Sequence, residues 1–218
     1  AKQKKAKMLL ISVKTPPIST GNELTGETTG QEDLFKKYLH QALINTEVIT
    51  EEVDISNPTD APHFLNTYVR AGKIVSYYKD TTSIPPGFID LEKYIYNKLK
   101  ADLSAKEEDP NQYDDLYKAI YLGERGGYMS VGGFKGLNGY CSDKFIVLFP
   151  SRNDQTAAHE FLHSFDLPHS FTNKEASGNA DYTYTVKTTE NLMDYSHKIP
   201  EERYSLWKWQ WKVANDSI

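Results

Sequence analysis

Cysteine is nearly absent: Cys141 is the only one in 218 residues, so no disulfide can form within the chain. Long hydrophobic runs are absent as well. The longest, such as Met8 to Ile11 and Phe145 to Phe149, fall far short of the roughly 20 apolar residues a membrane-spanning helix needs. No large excess of charge exists, since 25 basic residues face 30 acidic ones for a formal net charge of -5. That balance gives no electrostatic reason to expect nucleic acid or an anionic membrane as a partner. The N-terminal apolar stretch of about four residues is too short for the core of a secretory signal, which needs roughly 7–15. Internal repeats and low-complexity tracts are also missing.

What is present suffices for a substantial core. Hydrophobic residues make up 39% and aromatics 12%, led by fifteen tyrosines, which argues against a disordered chain. The chain begins at Ala1 with Lys2, Lys4, Lys5 and Lys7 in quick succession. Residues 1–7 are therefore expected to be a linker or tail, and the whole to be a domain of a longer protein. Residues 8–218 would form one domain, with 8–122 as its N-terminal part and 123–218 as the half that carries the chemistry.

Pattern reading gives a mixed order of elements. Strands are expected at Met8–Lys14, Thr46–Ile55, about Lys73–Tyr78 and Lys144–Phe149, and helices at Gln31–Ile44 and from about residue 61 to Arg70. Leu91, Ile95, Leu99 and Leu103 line one further amphipathic segment, and Tyr113, Leu116, Tyr117, Ile120 and Tyr121 another. Seven glycines in the seventeen residues Gly123–Gly139 suggest a mobile or tightly turning loop. No Gly-Lys-Ser/Thr follows at the spacing of a phosphate-binding loop. A helix then starts after Asn153 or Asp154, either of which can cap it. The fold class expected is α+β with α/β-like features.

That helix carries His159-Glu160-Phe161-Leu162-His163. Four residues apart, the two imidazoles lie about 40° from each other on one helix face and can grip one ion. Glu160 projects beside them, while Ala157, Ala158, Phe161, Leu162 and Phe165 supply the buried side. This is the H-E-x-x-H arrangement, in which two neutral imidazoles hold Zn²⁺ and a glutamate takes a proton from water acidified by the metal. A catalytic zinc usually takes a third protein ligand, and His169 is the candidate. Six steps rotate a helix through about 600°, so the chain has to turn between His163 and His169, and Pro168 forbids a regular helix there. Three of the six histidines fall within these eleven residues, a concentration that points to a metal rather than to a solvated face.

The pattern His159-Glu160-x-x-His163-x-x-Asp166-x-x-His169, followed by Asn191-Leu192-Met193-Asp194-Tyr195, resembles the metzincin clan of zinc peptidases. Leu167-x-His169-x-Phe171 together with Asn191-x-Met193-Asp194-Tyr195 is most similar to the pappalysin-like branch. The likeness covers roughly residues 123–215; residues 1–120 match nothing nameable. It implies a zincin-type catalytic domain with a mixed sheet, an active-site helix and a methionine turn. By this likeness His159, His163 and His169 are zinc ligands, Glu160 is the general base, Met193 supports the cage and Tyr195 stabilises the oxyanion. Substrate would lie extended along an edge strand near Tyr140–Phe149, with the glycine-rich stretch as a flexible rim. The implied activity is a zinc-dependent endopeptidase acting on protein or peptide substrates. The excised look also resembles peptidase domains of bacterial secreted effectors and toxins, so a secreted protein, held within a larger parent chain or by an inhibitor protein, is expected.

Two departures from the clan stand out. Asp166 occupies the clan's glycine position, where a left-handed backbone is expected that Asp tolerates better than most residues; alternatively, Asp166 itself approaches the ion. The chain also lacks the cysteines common in that branch. Two rivals remain: a thermolysin-like site with Glu190 as third ligand and Asp194 in support, which requires residues 190–194 to be helical, and a non-catalytic zinc-binding module of zincin fold. Cys141 is expected to be a buried small hydrophobe, or else a thiolate that blocks the metal. His40 and His63, the latter in a loop, are expected to be structural, and His197 either structural or a substrate contact. Trp207, Trp209 and Trp211 are read as packing residues, on a helix or a strand.

Overall fold

Strands whose two faces are both covered read as continuous apolar runs, and three such runs make the centre of this fold. The structure is a computed structural model that describes residues 2–81, 83–172, 180–195 and 203–218. Strand β1 (Lys4–Thr15) is followed by β2 (Leu24–Thr25), helix α1 (Gln31–Leu39), a 3₁₀ turn at His40–Ala42 and β3 (Ile44–Asp54). Helix α2 (Ala61–Tyr68), β4 (Val69–Arg70), β5 (Lys73–Lys79) and α3 (Leu91–Ala105) come next. Then come β6 (Tyr117–Leu122), β7 (Gly126–Ser130), β8 (Gly133–Leu137), β9 (Gly139–Ser142) and β10 (Phe145–Leu148). Helices α4 (Asp154–His163) and α5 (Lys208–Asp216) complete the described residues, which thus hold five α-helices and two mixed sheets.

In the larger sheet β3, β1, β6 and β10 run parallel, and β9 closes one side antiparallel to β10. The short β2 pairs antiparallel with the end of β1. Side chains alternate between the faces. Met8, Leu10, Ala119, Tyr121, Ile146 and Leu148 pack with residues of α1, α4 and α5. Leu9, Ile11, Val13, Ile120, Val147 and Phe149 pack with residues of α2 and α3. The smaller sheet has the order β4-β5-β7-β8; its first two strands come between β3 and β6 in the chain and its last two between β6 and β9. Helix α4 thus follows directly from the central sheet, pressed onto one face by Ala157, Ala158, Phe161 and Leu162, all buried.

The structure meets the α+β expectation and redraws several elements. β1 starts at Lys4 and pairs with β3 from Lys4↔Ile44 onward, so Lys4 to Lys7 belong to the sheet rather than to a linker. Helix α1 stops at Leu39, and Leu43 turns left-handed (φ 58°) to launch β3 at Ile44. The segment around Tyr117 to Tyr121 is a strand, not a helix: as the middle strand of a parallel sheet it buries both faces, and its apolar run mimics a helical stripe. The glycine-rich stretch is the hairpin β7–β8 rather than a loop. A Cβ on Gly127 would sit 1.9 Å from the carbonyl oxygen of Lys135 across the hairpin, while Gly133 takes φ 91° at its turn. His63 lies in α2, exposed, and not in a loop. Residues 183–189 carry no regular strand and make a single bridge, from Tyr184 to Phe171.

Phe161 is fully buried against Phe35, Tyr117 and Phe165. Phe161→Ala is expected to cost about 3–5 kcal/mol in urea unfolding. Asn153→Ala, which removes only the helix cap, should cost about 1 kcal/mol. Equal costs would contradict the packing described.

Candidate metal centre

Both ends of α4 are fixed by local chemistry. At the start, the Asn153 side chain accepts from the Thr156 N–H (3.0 Å), and the Thr156 hydroxyl lies 3.4 Å from the Asn153 N–H in return. At the end, the Leu167 N–H reaches back to the Leu162 carbonyl (3.1 Å) and the Asp166 N–H to that of His163 (3.0 Å). Asp166 takes φ 60° there, the left-handed turn that ends helices in this motif and that the sequence led us to expect. The chain reverses, and His169 comes back over the helix toward His163.

Three imidazoles converge as a result. The ring centroids of His159 and His163 are 4.8 Å apart, those of His163 and His169 4.5 Å, and those of His159 and His169 5.3 Å. His159 and His169 are buried and His163 partly so. One nitrogen from each lies within 4.8 Å of the others, a cluster able to hold a metal ion such as zinc.

Hydrogen bonds select the nitrogens that face inward. Nδ1 of His159 is 2.6 Å from the Leu192 carbonyl, and Nδ1 of His163 is 2.8 Å from the Leu167 carbonyl. A carbonyl can only accept, so each Nδ1 carries the proton and each Nε2 keeps its lone pair. Nε2 of His163 and Nε2 of His169 stand 3.3 Å apart. Two nitrogens bound tetrahedrally at about 2.0–2.1 Å from zinc would be about 3.3–3.4 Å apart, so the spacing fits that ion. Burial, reinforced by the neighbouring charge of His163, holds His159 well below the ordinary histidine range and favours the neutral, metal-binding form.

A cleft of about 470 Å³ opens over the cluster, and Glu160, Tyr195 and Asp166 line it with β9. The Tyr195 ring lies 4.8 Å from that of His169 and 5.8 Å from that of His159. Gly139 lets β9 approach the helix: a Cβ there would be 2.9 Å from Leu148 Cδ2 and 3.3 Å from Glu160 Cγ. A second cavity of about 280 Å³ shares Gly139, His159, Glu160 and Tyr195 with the first and continues to Arg203.

The carbonyl that holds His159 comes from a tight turn at 191–195. Asn191 accepts from the Met193 N–H (2.9 Å) and donates to Gln210 of α5 (2.7 Å). Met193 is fully buried in the core on which α4 packs. The buried Asp194 carboxylate accepts from the N–H groups of Lys187, Thr189 and Tyr195 and from the Thr189 hydroxyl.

His159, His163 and His169 thus meet in space, with Glu160, Asp166 and Tyr195 on the same cleft. The ligand cluster comprises the three histidines, without Asp166. Residues 190–194 form a turn rather than a helix and Glu190 is exposed, which removes the thermolysin-like alternative. Cys141 lines the cleft half-buried, outside the cluster, its thiol pushed up by burial and by the Glu160 and Asp143 carboxylates. His197 lies outside the described residues. Trp209 packs against the core from α5, while Trp211 is 39% exposed. Arg203, Gln210 and Gly139 carry no motif, and sequence reading did not single them out. No protein-family model matches the chain, and no curated protein or solved structure matches it significantly.

The backbone at Asp166 makes a direct prediction. Asp166→Gly is expected to fold with its metal affinity retained, whereas Asp166→Val, forced left-handed, should lose about 1–2 kcal/mol or more relative to it in chemical unfolding. A second concerns pH in metal-free protein. The unfolded chain protonates residue 159 near about pH 6.5, but the fold keeps it neutral to lower pH. The unfolded state then binds the extra proton, so stability falls as pH drops from about 7 to about 5. His159→Gln should flatten that slope; an unchanged slope would contradict a buried neutral imidazole.

Proposed function

We propose that the protein is a zinc-dependent endopeptidase of metzincin type. The observation that carries this reading is the convergence of three imidazoles, two of them locked with Nε2 inward, in a cleft that Glu160 also lines. A metal kept only for stability has no need of a carboxylate beside an open cleft. Zinc in the cage would supply Lewis acidity, polarising the scissile carbonyl and acidifying the attacking water.

The chain's own residues perform the remaining tasks. Glu160 takes the proton of the attacking water and returns it to the leaving amine. The Tyr195 hydroxyl donates to the carbonyl oxygen as negative charge develops there, and the hydrogen bond from its N–H to Asp194 (2.6 Å) holds its backbone. β9, the terminal strand of the larger sheet, receives an extended substrate by main-chain hydrogen bonds along its outer edge. Met193 and the Asn191–Gln210 bond support the turn that carries the Leu192 carbonyl.

Metal content and cleavage of a mixed protein substrate, measured on the same samples, test the proposal. One equivalent of zinc is expected in wild type and in Glu160→Gln, with cleavage by wild type alone, and His169→Ala should lose the metal. Tyr195→Phe should keep zinc and lower kcat by about 10²–10³-fold. Zinc in both wild type and Glu160→Gln with equal cleavage, or no zinc in either, would refute the reading.

A further inference from the structure

The smaller cavity beside Glu160 has one feature that the peptidase chemistry does not use. Arg203 lines it and is the only lysine or arginine to do so among the described residues. The residue is just 5% exposed. A buried guanidinium normally pairs with a carboxylate, because an uncompensated charge inside a protein is costly. Here Nη1 donates to the main-chain carbonyls of Leu192 (3.5 Å) and Asp194, and Nε is buried with no partner among the described residues. The Asp194 and Glu160 carboxylates offset its charge through space, and the Asp194 carboxylate is already engaged by four N–H and O–H donors from Lys187, Thr189 and Tyr195. No hydrogen bond joins Arg203 to a carboxylate among the described residues.

Size and place narrow the missing partner. At about 280 Å³ the cavity has room for one side chain rather than an extended ligand. It shares Gly139, Glu160 and Tyr195 with the main cleft, so a side chain entering it would belong to a residue next to the bond being cut. A planar carboxylate is the group that a guanidinium receives best, through paired charge-assisted hydrogen bonds.

We propose that this cavity is a specificity pocket for an aspartate or glutamate adjacent to the scissile bond, with Arg203 receiving the carboxylate; the inference rests on the peptidase reading. Digestion of a mixed peptide library by zinc-loaded wild type, read by mass spectrometry, should show Asp or Glu enriched at one position flanking the cut. For a matched peptide pair differing by Glu against Gln there, kcat/KM should favour Glu by at least about tenfold. In Arg203→Met that ratio should collapse toward one, and Arg203→Lys should restore it in part. Because Arg203 also braces the turn at Leu192 and Asp194, the wild-type pair alone decides the matter should the variants fail to fold. Calorimetry of the two peptides against zinc-loaded Glu160→Gln gives a readout free of turnover, and tighter binding of the Glu peptide is expected. Cleavage indifferent to Glu or Gln would overturn the acidic pocket and leave the peptidase standing. No cleavage of any peptide would count against the peptidase, and equal binding, or none, in the calorimeter would then overturn the pocket as well.

Discussion

The left-handed turn at Asp166 is the constraint on which the three-histidine cluster depends. No helix can present His163 and His169 on one side, because six residues carry it well past a full turn and a half. The chain has to stop α4, reverse and bring the third imidazole back. It does so with two hydrogen bonds to the carbonyls of Leu162 and His163 and a positive φ at Asp166. The same reversal delivers the Leu167 carbonyl to Nδ1 of His163, so one turn both gathers the third ring and fixes the tautomer of the second. Glycine would take this conformation without strain; aspartate takes it at modest cost.

A second support comes from far along the chain. Leu192, Met193 and Asp194 are buried, and the Leu192 carbonyl fixes His159 as Leu167 fixes His163. That turn is tied by Asn191 to Gln210 on α5, by the Leu192 N–H to Ser205 and by the Met193 carbonyl to Ser170. The C-terminal helix therefore contributes to the site without lining it. Gln210 also accepts from the Trp207 N–H, so the bond that starts α5 and the bond that braces the turn share one side chain. Buried polar groups so connected position a site more firmly than apolar packing alone.

The site was more legible in the sequence than the fold. Spacing at residues 159, 163 and 169 is a local, one-dimensional signal, and Pro168 announces the turn between the last two. Parts of the fold misled for physical reasons. The strand over Tyr117–Leu122 is buried on both faces, so its pattern lacks the alternation that marks a half-exposed strand. Glycines at 126, 127 and 133 suggested a loop, yet they serve a hairpin: a Cβ on Gly126 would strike the Phe149 ring, one on Gly127 the Lys135 carbonyl, and Gly133 takes a positive φ at the turn. The lysines at 4, 5 and 7 suggested solvated chain, and they are strand residues paired along β3. Arg203 and Gln210 were invisible for a different reason: their roles depend on which carbonyls and cavities the fold places beside them, and no spacing encodes that.

X-ray absorption at the zinc edge of the metal-loaded protein tests the three-histidine centre most directly. Three imidazole nitrogens at about 2.0–2.1 Å with one light oxygen scatterer in the fourth position are expected. A sulfur scatterer, a fourth protein nitrogen, or only two imidazoles would contradict a cage built from His159, His163 and His169 with one position open to the cleft.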